Sequence, residues 1–407
     1  MCSLWVACLL TGPAAAADPP TEVALVRSAL AQPWSIARQD ARVADARADG
    51  TAPPLLADPE LLARREQANG PAGANTRVVG GGITVDLGLS SLPRRTASSL
   101  RGQAGERAAR ADAVAVVCDL RADVLELVAA SGRVRAREAW SRRLDTVQGQ
   151  LGAEAGVGLT SGFDRDRLAL VARTRRFDLD LDRARSADVG ARLEARTGLD
   201  PSGLQLGDLP DLEPVDAWLQ RALAEDPELA ALRLRVDAAR SLVAAERRAQ
   251  APDLDLYGGA RWDAMPDGSS REGGWEVGGA LQLPIFDRGR EDRRRAEAEL
   301  RAAEAAAQER EVLLQSHIHA AWTRVQTLAD GGDPLAADAL WAGAVDRYLG
   351  GEATLSELLD VASEAEAAAL VDVQRAIAVR RARLDLACAS GRFEEPVFND
   401  IIDEVAR

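Results

Sequence analysis

The pattern Gly158-x-x-Ser161-x-x-Asp164 returns as Gly351-x-x-Thr354-x-x-Glu357, an offset of 351 minus 158, or 193 residues, at all three positions. The same offset carries Leu193 and Gly198 onto Leu386 and Gly391. Upstream, Ala29-Leu30-Ala31-Gln32-Pro33 resembles Ala222-Leu223-Ala224-Glu225-Asp226-Pro227, and Val79-Gly80-Gly81 resembles Val277-Gly278-Gly279. Several matches in one order mark an internal duplication. The halves are residues 18–205 and 206–395, divided near a turn-rich stretch at 201–214 and followed by a tail at 396–407.

Each half changes its hydrophobic period in the same order. After an opening helix, Leu254, Leu256, Gly258, Ala260 and Trp262 alternate with Asp253, Asp255, Tyr257, Gly259 and Arg261, and Trp275, Val277, Gly279, Leu281 and Leu283 alternate with polar or small residues. Period-2 runs of this kind predict strands at 253–263 and 274–284. In the first half Ile83, Val85, Leu87 and Leu89 predict a strand at 78–90, while the candidate at 55–66 is weak because Pro59, Arg64 and Arg65 interrupt it.

Helical arms follow each pair of strands, at 94–200 and 288–390. The first arm contains no proline, and Val114, Val117, Leu120, Val124 and Leu127 give it one apolar stripe. Unbroken from 94 to 157, it would be roughly 95 Å long, more than a compact domain spans. In the second arm Asp330-Gly331-Gly332-Asp333-Pro334 predicts a break or kink, because proline lacks the N–H and clashes with the preceding turn. The fold expected is mainly α with membrane β-strands.

Four strands of about ten residues have the length to cross an outer membrane, yet four cannot close a barrel. A bilayer tolerates no unpaired strand edge, so several copies must pool their strands. Composition agrees. The 50 basic residues against 64 acidic ones give a net charge of −14, which argues against a nucleic-acid partner. Residues 1–17, with a short apolar run and alanine-rich A-x-A sites, read as a signal peptide. Beyond Cys2 and Cys8, only Cys118 and Cys388 remain, too sparse a pair for a metal knuckle or a disulfide framework.

The order helix, hairpin, arm, G-x-x-[ST]-x-x-[DE] turn and returning arm, written twice, resembles the TolC-like outer-membrane efflux protein family over nearly the whole chain. The most specific stretches are Ala251-Pro252-Asp253-Leu254-Asp255-Leu256, Leu283-Pro284-Ile285-Phe286-Asp287-Arg288-Gly289-Arg290, and Tyr348 through Gly351 to Glu357-Leu358-Leu359-Asp360. The P-I-F-D-R stretch and Ala57-Asp58-Pro59-Glu60-Leu61 look closest to the heavy-metal-efflux branch of CzcC and CusC type. The resemblance implies a homotrimer with a 12-stranded barrel in outer-membrane lipid, continued by a helical tunnel through the periplasm. It also implies a periplasmic membrane-fusion adaptor and an inner-membrane pump of RND or ABC type as partners, and no cofactor.

Carried over by motif, Gly158, Ser161, Asp164, Gly351 and Thr354 are adaptor-contact residues at the tunnel tip. The same residue types also suit a left-handed turn followed by an N-cap. Glu357 and Asp360 match acidic positions that ring the tunnel mouth in relatives, and threefold symmetry would gather six carboxylates there. They equally suit an exposed helix start, which the helix dipole favours for acids. His317-x-His319 lacks the i, i+4 spacing of a chelating pair, and the arginine run at 293–295 reads as a charged helix face. No nucleophile-elbow, Walker or metalloprotease pattern occurs in the sequence, so no metal site and no enzymatic activity are expected. The function expected is a passive exit duct for small solutes, metal cations among them. The alternatives are the outer component of a type I protein exporter and a periplasmic coiled-coil scaffold without a pore.

Overall fold

A computed structural model describes residues 20–52, 60–67, 75–156, 162–204, 206, 212–264, 271–282, 289–330, 337–391, 393 and 396–405. The expected signal peptide, Gly158, Ser161, most of the 330–334 interruption and the P-I-F-D-R stretch lie outside these residues. The elements run α1 (Glu22–Leu30), α2 (Pro33–Gly50), β1 (Glu60–Gln67), β2 (Asn75–Asp86), α3 (Ser91–Gly156) and α4 (Gly162–Thr197). They continue with α5 (Val215–Glu225), α6 (Pro227–Arg248), β3 (Asp253–Ala264), β4 (Arg271–Gln282), α7 (Arg290–Ala329), α8 (Ala337–Leu349), α9 (Leu355–Ser390) and α10 (Pro396–Val405).

The strands form one antiparallel sheet in the order β1-β2-β3-β4. The weak candidate is a full member: β1 pairs with β2 from Glu60 opposite Gly82 to Gln67 opposite Asn75. It begins at Glu60 and so contains no proline, whose missing N–H would break the ladder. β2 occupies 75–86 rather than 78–90, because the chain turns at Leu89, among the described residues the one non-glycine with positive φ, and enters α3. Cross-strand partners share a face. Val85 sits opposite Leu254 and Leu254 opposite Leu281; Ile83 sits opposite Leu256; Val79 and Trp275 flank Ala260. One face is therefore apolar from Leu61 and Ala63 of β1 to Leu281, Val277 and Trp275 of β4, with Arg77 at its far end. The other carries Glu60, Thr84, Asp255, Arg261, Glu276 and Gln282.

α3 runs for 66 residues, about 100 Å. Its one proline, Pro93, falls in the first turn, where the missing donor has no intrahelical partner to lose. Small residues, Ala97, Ala104 and Ala113, occupy its buried stripe near the sheet, where α2 and α6 pack closely; larger ones, Val117, Leu120, Val124 and Leu127, follow. Farther from the sheet, α3 packs between α4 and α9, and α9 packs on α7 and α8. The lateral order is thus α4, α3, α9, then α7 and α8.

Of the four buried apolar clusters among the described residues, two join the halves of the chain. Val26, Val117, Leu120, Leu384, Phe398 and Ile402 join α1, α3, α9 and α10. Trp140, Leu144, Leu168, Trp341, Leu358 and Leu359 join α3, α4, α8 and α9, with the indoles of Trp140 and Trp341 edge to face at 5.4 Å. The upper core corrects the expectation about cysteines. Cys118 and Cys388 form a disulfide between α3 and α9, Cα to Cα 6.0 Å, across 270 residues of sequence. Two isolated cysteines carry no spacing signature, and only the packing of the two halves reveals that they are neighbours. One turn along, Arg121 pairs with Glu22 at 2.5 Å and stacks on the rings of Phe393 and Phe398.

Candidate functional site

The repeated motif is a helix stop joined to a helix start. Gly351, with φ of 72°, ends α8: its N–H bonds to the carbonyl of Tyr348 at 3.0 Å, and that of Glu352 reaches back to Arg347 at 2.9 Å. This pair of bonds is a Schellman cap, and its left-handed position favours glycine, which has no Cβ penalty there. Three residues on, Thr354 caps α9 in a reciprocal box with Glu357. The Thr354 hydroxyl accepts from the Glu357 N–H at 3.3 Å, and the Glu357 carboxylate accepts from the Thr354 N–H at 2.7 Å. Glycine, threonine and glutamate at this spacing thus reverse the chain in four residues.

The bond from the Thr354 N–H, and a second from the Thr354 hydroxyl to the same carboxylate at 3.1 Å, hold the Glu357 carboxyl below its ordinary range. Asp360, one turn along, is exposed beside it, so both acids stand on the solvent side of the α9 start. In the first half Asp164 is half-buried in the first turn of α4. The structure thus brings Gly351, Thr354, Glu357 and Asp360 together at one turn and places Asp164 at the start of the neighbouring hairpin's return helix; Gly158 and Ser161 lie outside the described residues.

The other candidates sit elsewhere. His317 and His319 are both exposed on α7, either side of buried Ile318. Arg293 and Arg295 pair with Glu297 and Glu291 along the surface of α7. Among the described residues no group of three His, Cys, Asp or Glu side chains could hold a metal ion, and no helix is long and apolar enough to cross a membrane.

Two open borders complete the picture. Within the described chain β1 and β4 each pair on one side only. The sheet's apolar face is bare: Leu61 is 95% exposed, Trp275 81% and Val277 70%. Twelve-residue strands tilted by about 40° reach roughly 30 Å, the thickness of a hydrocarbon layer. In the helical layer, α4 displays Phe163, Leu170 and Phe177 at seven-residue intervals, with Leu181 a turn beyond, all exposed. Sequence reasoning overlooked this stripe, although its heptad spacing was there to be read.

Residues 218–392 match the family model of the outer membrane efflux proteins. The fold is that of a TolC-like outer membrane efflux protein. No curated protein matches the chain by sequence. Among solved structures, the CmeC outer membrane channel of Campylobacter jejuni superposes with a TM-score of 0.73 at 16% identity, covering 95% of this chain and 89% of that one. The outer membrane protein VceC of Vibrio cholerae gives 0.71 at 20% identity, covering 91% and 96%. CusC gives 0.67 at 19%, covering 91% and 92%. The likeness to CusC is no stronger than the others, so the expected heavy-metal branch is not distinguished from its neighbours. Two of the solved structures that share the fold, OprN and CmeC, are described as outer membrane channels. The matched family is one of efflux proteins, not of enzymes.

Proposed function

We propose that three copies of this chain form a passive exit duct, a 12-stranded barrel continued by a helical tunnel, which passes small solutes from an adaptor-coupled inner-membrane pump of RND or ABC type to the outside. The observation that carries this reading is the pair of matching open borders. The free edge of β4 can pair with β1 of the next copy, and the stripe of Phe163, Leu170 and Phe177 on α4 can pack on the α7 and α8 flank, which exposes Val312, Leu340 and Leu349. Such head-to-tail contacts satisfy every border only when the ring closes. A pore-free scaffold would leave the apolar sheet face in water at a cost of about 25 cal/mol per Å².

The tip turns around Gly351 and Thr354, with Gly158, Ser161 and Asp164 in the first half, are the surface that meets the adaptor's helical hairpin. Glu357 and Asp360 of three copies would gather six carboxylates at the mouth, a ring that favours cations and binds divalent ions. Asp360 dominates this ring, because the hydrogen bonds from Thr354 engage Glu357. Metal cations as cargo rest on the branch resemblance alone. The same duct could serve a type I protein exporter. The purified chain in detergent decides the main point: a heat-resistant β-rich trimer that conducts in planar bilayers supports the duct, whereas a water-soluble monomer without affinity for detergent overturns it.

A further inference from the structure

Arg137 of α3 is where the two helical hairpins meet. Its Nε donates to Asp182 of α4 at 2.6 Å, and its Nη1 reaches Asp178 of α4 at 3.2 Å and Glu366 of α9 at 3.1 Å. Arg175 of α4 grips the same glutamate from the other side, Nε to Oε2 at 3.1 Å, and also donates to Ser363. Arg133, one turn along α3, adds a bond to Asp182 at 3.2 Å. The Glu366 side chain is 6% exposed, with one oxygen taken by a guanidinium of α3 and the other by a guanidinium of α4. Three arginines thus face three carboxylates.

A partly buried network of this kind contributes little net stability, because desolvation offsets the attraction, but losing one member leaves buried Glu366 or its partners stranded. Its effect is geometric: α9 cannot shift against α3 and α4 without breaking it. Glu366 lies six residues, about 9 Å, along α9 from Asp360. We propose that Glu366 is a positioning residue, the pin of a latch that ties α9 to the α3 and α4 hairpin and limits how far the Glu357 and Asp360 end of α9 swings from the tunnel axis. The latch rests on the duct reading above.

The latch is also acid-sensitive. Burial raises Glu366 above the ordinary glutamate value, Arg175 and Arg137 oppose the rise, and Asp178 adds to it. A carboxyl raised in the folded state takes its proton more readily folded than unfolded, so falling pH does not unfold the protein through this group. Glu366 protonates in place and lets go of its arginines while the fold persists. The charged groups facing it are Arg133 and Arg137 from α3 and Arg175, Asp178 and Asp182 from α4; Asp338 of α8 is engaged by Arg143.

Single-channel recordings of the full chain in planar bilayers across pH test this, with E366Q, R137Q and, as a control in an exposed ion pair of α7 and α6, E304Q. Wild type should conduct weakly at neutral pH and several-fold more on acidification. E366Q should already show the raised conductance at neutral pH and lose the pH response, R137Q should be raised at neutral pH, and E304Q should match wild type. A wild-type channel whose E366Q variant keeps both conductance and pH profile overturns the latch alone; a wild-type chain that forms no channel overturns the duct and the latch with it. Hydrogen exchange on the wild-type protein, corrected for intrinsic rates, needs no substitution: residues 355–366 should open several-fold faster in acid while the helices around Cys118 and Cys388 do not, and equal behaviour of the two regions counts against the latch.

Discussion

Gly80 of β2 and Gly259 of β3 lie directly opposite each other at the seam that joins the two halves of the sheet, closer than side chains would permit. A Cβ on Gly80 would stand 2.2 Å from the carbonyl oxygen of Gly258 and 2.5 Å from the Cα of Gly259. The obstacle is backbone, which cannot rotate away. Gly80→Val should therefore separate β2 from β3, the pairing that links the two hairpins, and abolish heat-resistant trimers in the outer-membrane fraction. Gly274→Ala, where a Cβ meets nothing within 4 Å, should leave them intact.

The α4 stripe makes a second prediction. Phe177 is 64% exposed in one chain, so replacing it should hardly disturb the isolated fold. Phe177→Glu should nevertheless weaken trimers strongly, because the charge would be buried unpaired against the next copy. Detergent size-exclusion with light scattering reads the result, and trimers as stable as wild type would refute the proposed seam.

Cys118 and Cys388 close a loop of 270 residues, for which the chain-entropy relation gives an upper estimate of about 6 kcal/mol. The paired substitution to serine, or reduction, should lower the thermal midpoint by several degrees. Both cysteines are half-buried, and Cys388 borders an open groove with His317 and Asp385, so a mild dithiol should suffice. Mass spectrometry of alkylated thiols before and after reduction counts the bond.

Thr354→Ala removes both the hydroxyl that caps α9 and one of the groups that depress the Glu357 carboxyl. In wild type a depressed carboxyl contributes stability above its unfolded value and loses it as pH falls through the folded one. The pH dependence of hydrogen exchange in the first turn of α9 should therefore shrink in the variant. An unchanged profile would show that the box has no such effect.

Trp341, 8% exposed, meets Trp140 edge to face and holds α8 against α3 beside α9. Trp341→Ala should cost about 3–5 kcal/mol in the lower core, measured by denaturant unfolding. The mouth-facing turn should loosen first, since α8 is short.

Three of the strands, the long arms and the turn at Gly351 were legible in the amino-acid order because each depends on local spacing: period two, period 3.6, and a glycine three residues ahead of a capping threonine. Even the weak strand at 60–67 failed locally for a visible reason, its arginines and Pro59, and was rescued by a partner the sequence could not supply. The acids Glu357 and Asp360 could be placed on one exposed turn, but not the share of Glu357 that Thr354 engages. What the tertiary structure alone decided are the long-range pairings: Cys118 with Cys388, Arg137 with Glu366, Gly80 against Gly259. Each joins residues more than 170 positions apart, and their meeting depends on how two nearly self-similar halves pack side by side, which no periodicity within either half encodes.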